Sequence, residues 1–537
     1  MTVRTPAFAE ADHSASPPRL SIPRVYNAAA DLVERNLAAG RAGRIAFIDD
    51  AGRYSYGELA QRVNRCANAW KRLGLRTEDR VVLLLHDSID FPTAFLGAIR
   101  AGIVPIPCNT LLTGADYEYL LADSRARAVV VSAPLAAAIA PAAARLDALE
   151  HVIVSGAAVD GALDFSAWIA AESPDAPVAA TTADDVCFWL YSSGSTGSPK
   201  GAVHLHSDLI HTAELYARPV LGIAPDDVVF SAAKLFFAYG LGNALTFPLA
   251  VGATSVLMAE RPTPAAVFKR LVAERPTIFY GVPTLYAAML ASAEFPARDR
   301  LALRRCVSAG EALPADLGKR WRDKTGVDIL DGLGSTEMLH IFLSNRPDDV
   351  CYGTTGRPVP GYDLRVVDEQ GAPVAPGEIG ELQVSGPTSS PYYWNNRAKS
   401  LATFLGPWTR SGDKYIVDAD GRYVYCGRTD DMLKVGGVYV SPFEVEAALA
   451  THEAVLEAAV VGCADASELI KPKAFVVLKP GHAAGPALAA ALQDHVKTLL
   501  APFKYPRWIE FVTDLPKTAT GKIQRFKLRT PAQGTST

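Results

Sequence analysis

What the chain lacks narrows it first. Its seven cysteines (66, 108, 187, 306, 351, 426 and 463) are scattered over 537 residues without a C-x-x-C pair. Neither a zinc ribbon nor a dithiol redox motif is written here, and the scatter fits reduced thiols in a cytoplasm. Long apolar runs are missing as well. The alanine-rich stretch 135–144 is broken by Pro141 and followed by Arg145, too short to cross a bilayer. Residues 1–24 are polar, with alanine and proline but no apolar signal core, and read as a disordered lead-in. A formal net charge of −4 gives no basic footprint for nucleic acid or an anionic membrane. There is no internal repeat at solenoid periods. What remains is 49% hydrophobic and 20% charged, an ordinary globular composition, in a chain long enough for about three or four domain-sized units.

Another absence sits inside the most informative segment, Tyr191-Ser192-Ser193-Gly194-Ser195-Thr196-Gly197-Ser198-Pro199-Lys200-Gly201. Five hydroxyls and three glycines surround one lysine, and the apolar run Val186–Leu190 leads in. Glycine permits inward-bending backbone, so amides and hydroxyls can converge on a polyanion. The alternative, a solvated Ser/Gly loop, does not explain a buried-strand lead-in. Yet the G-x-x-x-x-G-K-[ST] spacing of NTPase P-loops is missing, and Gly201 stands where a magnesium-binding hydroxyl belongs. Ala202–His206 alternates like a strand, so a hairpin is predicted in place of a strand–loop–helix.

Elsewhere Ser55-Tyr56-Gly57-Glu58 predicts a capping box. Leu59, Val63, Cys66, Trp70 and Leu73 then recur at helical spacing until Gly74. Val81–Leu85 and Ile103–Pro107 read as buried strands around a helix Phe91–Arg100, a β-α-β rhythm that predicts parallel sheet under helices. After about residue 350, glycines and prolines punctuate short strands (Leu364–Val367, Glu381–Val384), which predicts a small β-barrel-like unit. Past Gly427–Gly437 a helix at Phe443–Ala450 opens a compact α+β module.

The hydroxyl-rich loop resembles the signature loop of the adenylate-forming superfamily: acyl-CoA synthetases, luciferases and peptide-synthetase adenylation domains. The resemblance covers about residues 25–530, with the motifs in family order. It implies an α/β fold: a large N-terminal domain (25–429) of helix-covered mixed sheets with the β-barrel-like part at about 350–429. A small mobile α+β domain (430–537) follows. On this resemblance Ser192, Ser193, Gly194, Ser195, Thr196, Gly197 and Lys200 hold the ATP phosphates. Thr336 touches them, and Glu337, closing Asp331-Gly332-Leu333-Gly334-Ser335-Thr336-Glu337, carries Mg²⁺. A cation that keeps several waters and bridges phosphates needs few carboxylates. Ala309, Gly310, Glu311, Asp331, Gly332 and Leu333 frame the adenine; Leu333 departs from the family's usual tyrosine, so aromatic stacking is lost. Asp413 and Arg428 are assigned to the ribose, Asp430 to the hinge, and Lys434, Gly436 and Gly437 to the coenzyme A tunnel. Lys522 is the catalytic lysine.

For the acid, Lys234–Asn243 offers aromatics and no carboxylate, so the ammonium of an amino acid would go unpaired. Phe236, Ala238, Tyr239, Ala309, Gly334, His340 and Ile341 are the expected walls of a site for a flat apolar acid, with His340 near the substrate carboxylate. His204 and His206 share a strand face but lack a third metal ligand. Fifteen residues follow Lys522, too few for a fused carrier, so free coenzyme A is the expected acceptor. The stretches Phe-Ala-Tyr-Gly-Leu-Gly and Gly-Leu-Gly-Ser-Thr-Glu look like those of bacterial benzoate–CoA ligases. The expected activity is formation of benzoyl-AMP and then benzoyl-CoA. The alternatives are ligases for 2-aminobenzoate, hydroxybenzoates or medium-chain and cyclic acids, a luciferase-like oxygenase, and a non-catalytic nucleotide-binding module. Expected partners are small molecules, with no nucleic acid and no membrane; a homodimer is one possible assembly, and the sequence does not set the oligomeric state.

Overall fold

A computed structural model describes residues 8–194, 197–429, 431–435, 438–465, 469–517 and 523–529. The chain divides into two compact units, one made of Met1–Asp363 with Val384–Thr409 and the other of Leu364–Gln383 with Arg410–Thr537.

Where the sequence predicts a disordered lead-in, Glu10–Asp12 pairs antiparallel with Arg19–Ser21. The first unit is built on two large sheets. In the smaller, Val104–Pro107, Arg80–Leu84, Ala128–Ser132, His151–Ser155 and Leu163–Asp164 lie side by side, all parallel. Three of these strands are buried almost throughout, as expected of parallel strands covered on both faces. The predicted capping box forms: Ser55 Oγ accepts from Glu58 N, and Glu58 Oε2 accepts from Ser55 N. The helix it starts, Tyr56–Arg72, buries Leu59, Val63, Cys66 and Trp70. It crosses the helix Asp90–Arg100 so closely that a Cβ on Gly97 would lie 2.6 Å from Cys66 Cβ.

The larger sheet has nine strands in the order Arg357–Pro358, Ile341–Ser344, Ile329–Gly334, Arg305–Ala309, Ile278–Gly281, Val228–Ser231, Thr254–Val256, Ile45–Ile48, Arg53–Ser55. Ile329–Gly334 through Ile45–Ile48 run parallel, and antiparallel strands close both margins. One face carries a core of Phe230, Phe279, Cys306, Ile329, Tyr286 and Trp321. In such a sheet, ligands settle beyond the carboxyl ends of the parallel strands. The hairpin Val186–Gly194 with Gly197–Leu205 forms a separate antiparallel pair.

Largely in the second unit, Asp363–Val367, Gly380–Ser385 and Trp408–Val417 lie in order in a small sheet, and Tyr423–Arg428 and Phe404–Leu405 each pair with Trp408–Val417. The α+β module comes next. Its strands Val455–Ala464 and Ile470–Leu478 are antiparallel, Trp508–Phe511 joins in parallel, and the helices Pro442–Ala450 and Pro486–Leu499 pack Val445, Leu449, Leu492 and Val496 on them. Among the described residues no helix is long and apolar enough to cross a membrane.

Because a Cβ at Gly97 would meet Cys66 Cβ at 2.6 Å and Sγ at 2.7 Å, with Val63 O at 3.2 Å, Gly97→Ala should cost about 1–3 kcal/mol through overpacking. Thermal melting of the two proteins side by side checks this; an unchanged Tm would show that the helices separate freely.

Candidate active site

The hairpin is rigid below its tip. Cys187, Phe188, Trp189 and Leu190 are all buried, and Trp189 stacks on Trp394 at 4.3 Å. Tyr191 donates its hydroxyl to Asp123, and Tyr119 donates to Pro199 O (3.0 Å). Register pairs Tyr191 with Gly201, Ser192 with Lys200 and Gly194 with Gly197. The hairpin expected from sequence is therefore present, with Ser193, Gly194 and Gly197 placed by its backbone. Ser195 and Thr196 at the tip lie outside the described residues. Ser192 Oγ is buried with no hydrogen-bond partner among the described residues.

Thr336 and Glu337 sit on a short turn, Thr336–Met338, whose start is capped by Ser335 Oγ accepting from Met338 N. Leu339 then takes φ +66°, a conformation that non-glycine residues rarely adopt, and this sends Ile341–Ser344 back alongside Ile329–Gly334. The turn is held from several sides. His204 Nε2 donates to Thr336 O (2.8 Å), Ser390 N to Glu337 O (2.8 Å) and Thr388 Oγ1 to Met338 O (2.7 Å). His204 is itself tied to Asp208 at 3.0 Å, and His206 accepts from Ala28 N, so both histidines are engaged in structure.

Lys200 and Glu337, assigned separately from sequence, meet here. Lys200 Nζ donates to Glu337 Oε1 (2.9 Å) and to the hydroxyl of Tyr393 (2.7 Å), and Tyr393 donates to the same Oε1 (2.6 Å). Burial pushes the Glu337 carboxyl up, but the Lys200 charge and the two hydrogen bonds outweigh it, and the net shift is downward. The carboxylate is therefore ionised at neutral pH. Tyr393 was missed in the sequence. Pro391-Tyr392-Tyr393-Trp394 has no distinctive spacing; only its docking on the outgoing hairpin arm (Trp394 N to Gly201 O, 2.8 Å) brings it to the site.

Ala309, Gly332, Gly334, Tyr239, His340 and Ile341 converge at the carboxyl ends of the large sheet. Ala309 is paired with Gly332, and Gly334 with Ile341. Glycine is required at 334, where a Cβ would lie 2.6 Å from His340 O. Tyr239 donates to Val307 O (3.2 Å). His340 Nε2 faces two acceptors, Tyr239 O at 3.3 Å and Asn243 Oδ1 at 3.1 Å, so that nitrogen carries the proton. Burial drives the ring to about 3, leaving it neutral, and its Nδ1 has no partner among the described residues. A neutral imidazole whose proton is already engaged has none to give a carboxylate. His340 is packed against Phe247 at 4.5 Å. Phe236 packs on Phe237 (4.5 Å), and Ala238 begins the next short helix.

Asp331 is buried, its Oδ1 is unpaired among the described residues, and burial holds its carboxyl well above the usual range. Beside it the strand end at Gly310 turns with φ +92°; Leu333 lies two residues on, and Glu311 follows Gly310 out of the strand. In the second unit Asp413 and Arg428 face each other across two strands, joined by an ion pair of 2.9 Å. Lys434 lies on Leu433–Val435, whereas Asp430, Gly436, Gly437 and Lys522 lie outside the described residues.

The residues 34–394 match the model of the AMP-binding enzyme family, and 444–522 match that of the AMP-binding enzyme C-terminal domain. The chain belongs to the AMP-binding enzyme family. Within it, the chain is 66% identical to a benzoate–CoA ligase of Thauera aromatica over 521 residues, covering 97% of this chain and 98% of that one. Among solved structures it resembles a benzoate CoA ligase from Burkholderia xenovorans LB400 (TM-score 0.88, 57% identity, 94% and 100% of the two chains). It also resembles the anthranilate CoA ligase AuaEII in complex with anthranoyl-AMP (TM-score 0.91, 46% identity, 94% and 97%). In this member of the AMP-binding enzymes, the family's adenylate-forming fold brings the Ser/Gly-rich hairpin and the Thr-Glu turn into one unit.

The aromatic segment 234–239 is fixed at its base by Asp87, which accepts from Leu235 N at 3.2 Å. Burial pushes the Asp87 carboxyl up to about 6, against the pull of Lys234 and the Leu235 N–H. A carboxyl raised in the folded state adds stability below its unfolded value of 3.8 and loses it as pH rises through about 6. Asp87→Asn removes that loss. The Tm of the variant relative to the parent should climb between about pH 4.5 and pH 7.5, by an amount reflecting on the order of 2 kcal/mol. A pH-independent difference in melting would contradict the buried ionisation.

Proposed function

We propose that the protein is an AMP-forming aryl-CoA ligase that activates benzoate. The carboxylate of the acid attacks the α-phosphorus of ATP, the bond to the β-phosphate breaks, and pyrophosphate leaves. The thiol of coenzyme A then attacks the carbonyl of benzoyl-AMP, giving benzoyl-CoA and AMP. The observation that carries this reading is one unit holding a phosphate hairpin, an ionised Glu337 and an aromatic wall without a carboxylate. Lys234, the charged side chain of that wall's sequence, turns its Nζ to the carbonyls of Met258, Ala259 and Glu260. Similarity to benzoate–CoA ligases over nearly the whole chain supports the choice of acid.

Joining a carboxylate to a polyphosphate means overcoming repulsion, about 4 kcal/mol for two unit charges 4 Å apart at an effective dielectric near 20. The residues fit a magnesium ion arriving with the nucleotide: Glu337 is ionised, and among the described residues neighbouring side chains donate only to its Oε1. Such an ion supplies charge neutralisation between phosphate oxygens. The chain's own residues do the rest. Ser192–Gly197 surround the β and γ phosphates, and Lys200 exchanges Glu337 for phosphate oxygens. Asp331 offers its unpaired oxygen toward the adenine, and Asp413 with Arg428 takes the ribose. Tyr239, His340 and Ile341 exclude water around the ring of the acid. Lys522 bridges the carboxylate and the α-phosphate. The boundary we assign lies at 429/430. Rotation of 430–537 about Asp430 withdraws Lys522 and brings the Lys434–Gly437 region to the thiol.

Two measurements test this. Purified protein with ATP, Mg²⁺ and coenzyme A should form AMP and pyrophosphate with benzoate, and more slowly with 2-aminobenzoate, 4-hydroxybenzoate and hexanoate. ADP as product, or equal rates across the panel, would overturn the reading. Lys522→Ala should lower benzoyl-AMP formation by about 10²–10³-fold while thioester formation from supplied benzoyl-AMP stays within a fewfold of the parent. Equal loss of both half-reactions would remove Lys522 from its role.

A further inference from the structure

We propose that Tyr393 is a positioning residue: its phenol holds one oxygen of Glu337 and so leaves the other for the cation that accompanies the nucleotide. The proposal rests on the reading of Glu337 as the magnesium ligand.

The hydrogen-bond roles around Glu337 follow from the number of protons available. The phenol has one proton, and it goes to Glu337 Oε1 at 2.6 Å; its lone pair accepts from Lys200 Nζ at 2.7 Å. Lys200 gives a second proton to the same Oε1, and its ammonium also lies 4.3 Å from the centre of the Tyr393 ring. Among the described residues no neighbouring residue donates to Oε2; the carboxylate's further hydrogen bond comes from Glu337's own backbone N–H. One carboxylate oxygen is thus doubly engaged by neighbours and its twin by none of them.

Tyr393 and Lys200 are anchored differently. Tyr393 is buried, packs on Phe404 at 5.1 Å, and donates its backbone N–H to Ser400 Oγ at 2.9 Å. Its neighbour Trp394 stacks on Trp189, and the Trp394 indole N–H reaches Asp123 O at 2.8 Å. Lys200 ends in a compact charge on a flexible four-carbon stem. A polyphosphate entering the hairpin attracts the ammonium, whereas the phenol stays where its backbone and ring hold it. Once Lys200 has moved, Tyr393 is the side chain among the described residues that still donates to the Glu337 carboxylate and sets its rotation. Without the phenol that carboxylate can turn, and an ion needing near-ideal octahedral geometry binds less well.

The test uses the full-length protein, saturated with α,β-methylene-ATP and titrated with Mn²⁺ while free Mn²⁺ is followed by electron paramagnetic resonance. Glu337→Gln should weaken Mn²⁺ binding by about 30-fold or more, and Tyr393→Phe by about 5- to 30-fold, the range of a hydrogen bond to a charged group. Binding of benzoate and of the metal-free nucleotide, measured by calorimetry, should stay within about twofold in Tyr393→Phe, a split that a merely space-filling tyrosine would not produce. Mn²⁺ affinity within about threefold of the parent in Tyr393→Phe, with Glu337→Gln weakened, overturns the role of Tyr393 alone. Unchanged affinity in Glu337→Gln overturns the premise instead. Should Tyr393→Phe lack a cooperative melt, 3-fluorotyrosine at 393 replaces it. Its ¹⁹F resonance should then move when Mg²⁺ is added to the nucleotide-bound protein, and a resonance indifferent to the metal refutes the proposal.

Discussion

A carboxylate taken out of water is costly unless cations and hydrogen bonds surround it, and the arrangement at Glu337 is a response to that constraint. Its charge persists because Lys200 and Tyr393 both serve one of its oxygens. That need explains features some distance away. The Thr336–Met338 turn must be immobile, so its carbonyls are taken by His204, Ser390 and Thr388. The strained Leu339 backbone is tolerated because antiparallel pairing on either side of it fixes the chain. The hairpin must hold Lys200 in register, so its arms are locked by Trp189, Trp394 and Asp123.

The same cluster suggests how binding and charge are coupled. Lys200 neutralises Glu337; on the proposed reading, each of the two finds a new partner of opposite sign when phosphates and a cation arrive. Neither charge is left uncompensated in either state, which avoids the large penalty of a lone buried ion. The acyl side follows a different rule. There the ionisable His340 is kept neutral, and Lys234 is turned to backbone carbonyls, so the aromatic wall presents little charge to the acid. On the proposed reading, charge is concentrated where bonds to phosphorus form and break, and withheld where only shape must be read.

Much of this was legible in the sequence because the chemistry is local. The hydroxyls and glycines of 192–201 are contiguous, Thr336 and Glu337 are adjacent, and the aromatic segment 234–239 is one short stretch. Asp413 and Arg428 fall within one strand pair. Capping at Ser55 is settled by four residues. What could not be read depends on long-range approach. Tyr393 lies 56 positions from Glu337 and reaches it only because 392–394 adds to the hairpin. Asp87 reaches Leu235 across 148 positions, from the end of one sheet to the segment after a strand of the other. The state of His340 was likewise hidden, since it follows from Tyr239 O and Asn243 Oδ1 both being acceptors. The strands after 350 announce themselves by their turns, but whether such strands close into a barrel or stay open is a matter of shear and partner order, which turn residues do not encode.

One consequence concerns Leu333, where the family usually places tyrosine. Leucine gives up stacking on a purine face, a contribution of about 1–3 kcal/mol where aromatic side chains stack on bases. Asp331, two residues earlier, is buried with an unpaired oxygen, and its carboxyl is driven well above the ordinary range. An amino group on the base would meet that acceptor, and satisfying a buried polar atom is worth a comparable amount. On this view base recognition moves from the face of the purine toward its edge. Selectivity for adenine over a base without an exocyclic amine would then rest on the Asp331 carboxyl and depend little on the side chain at 333.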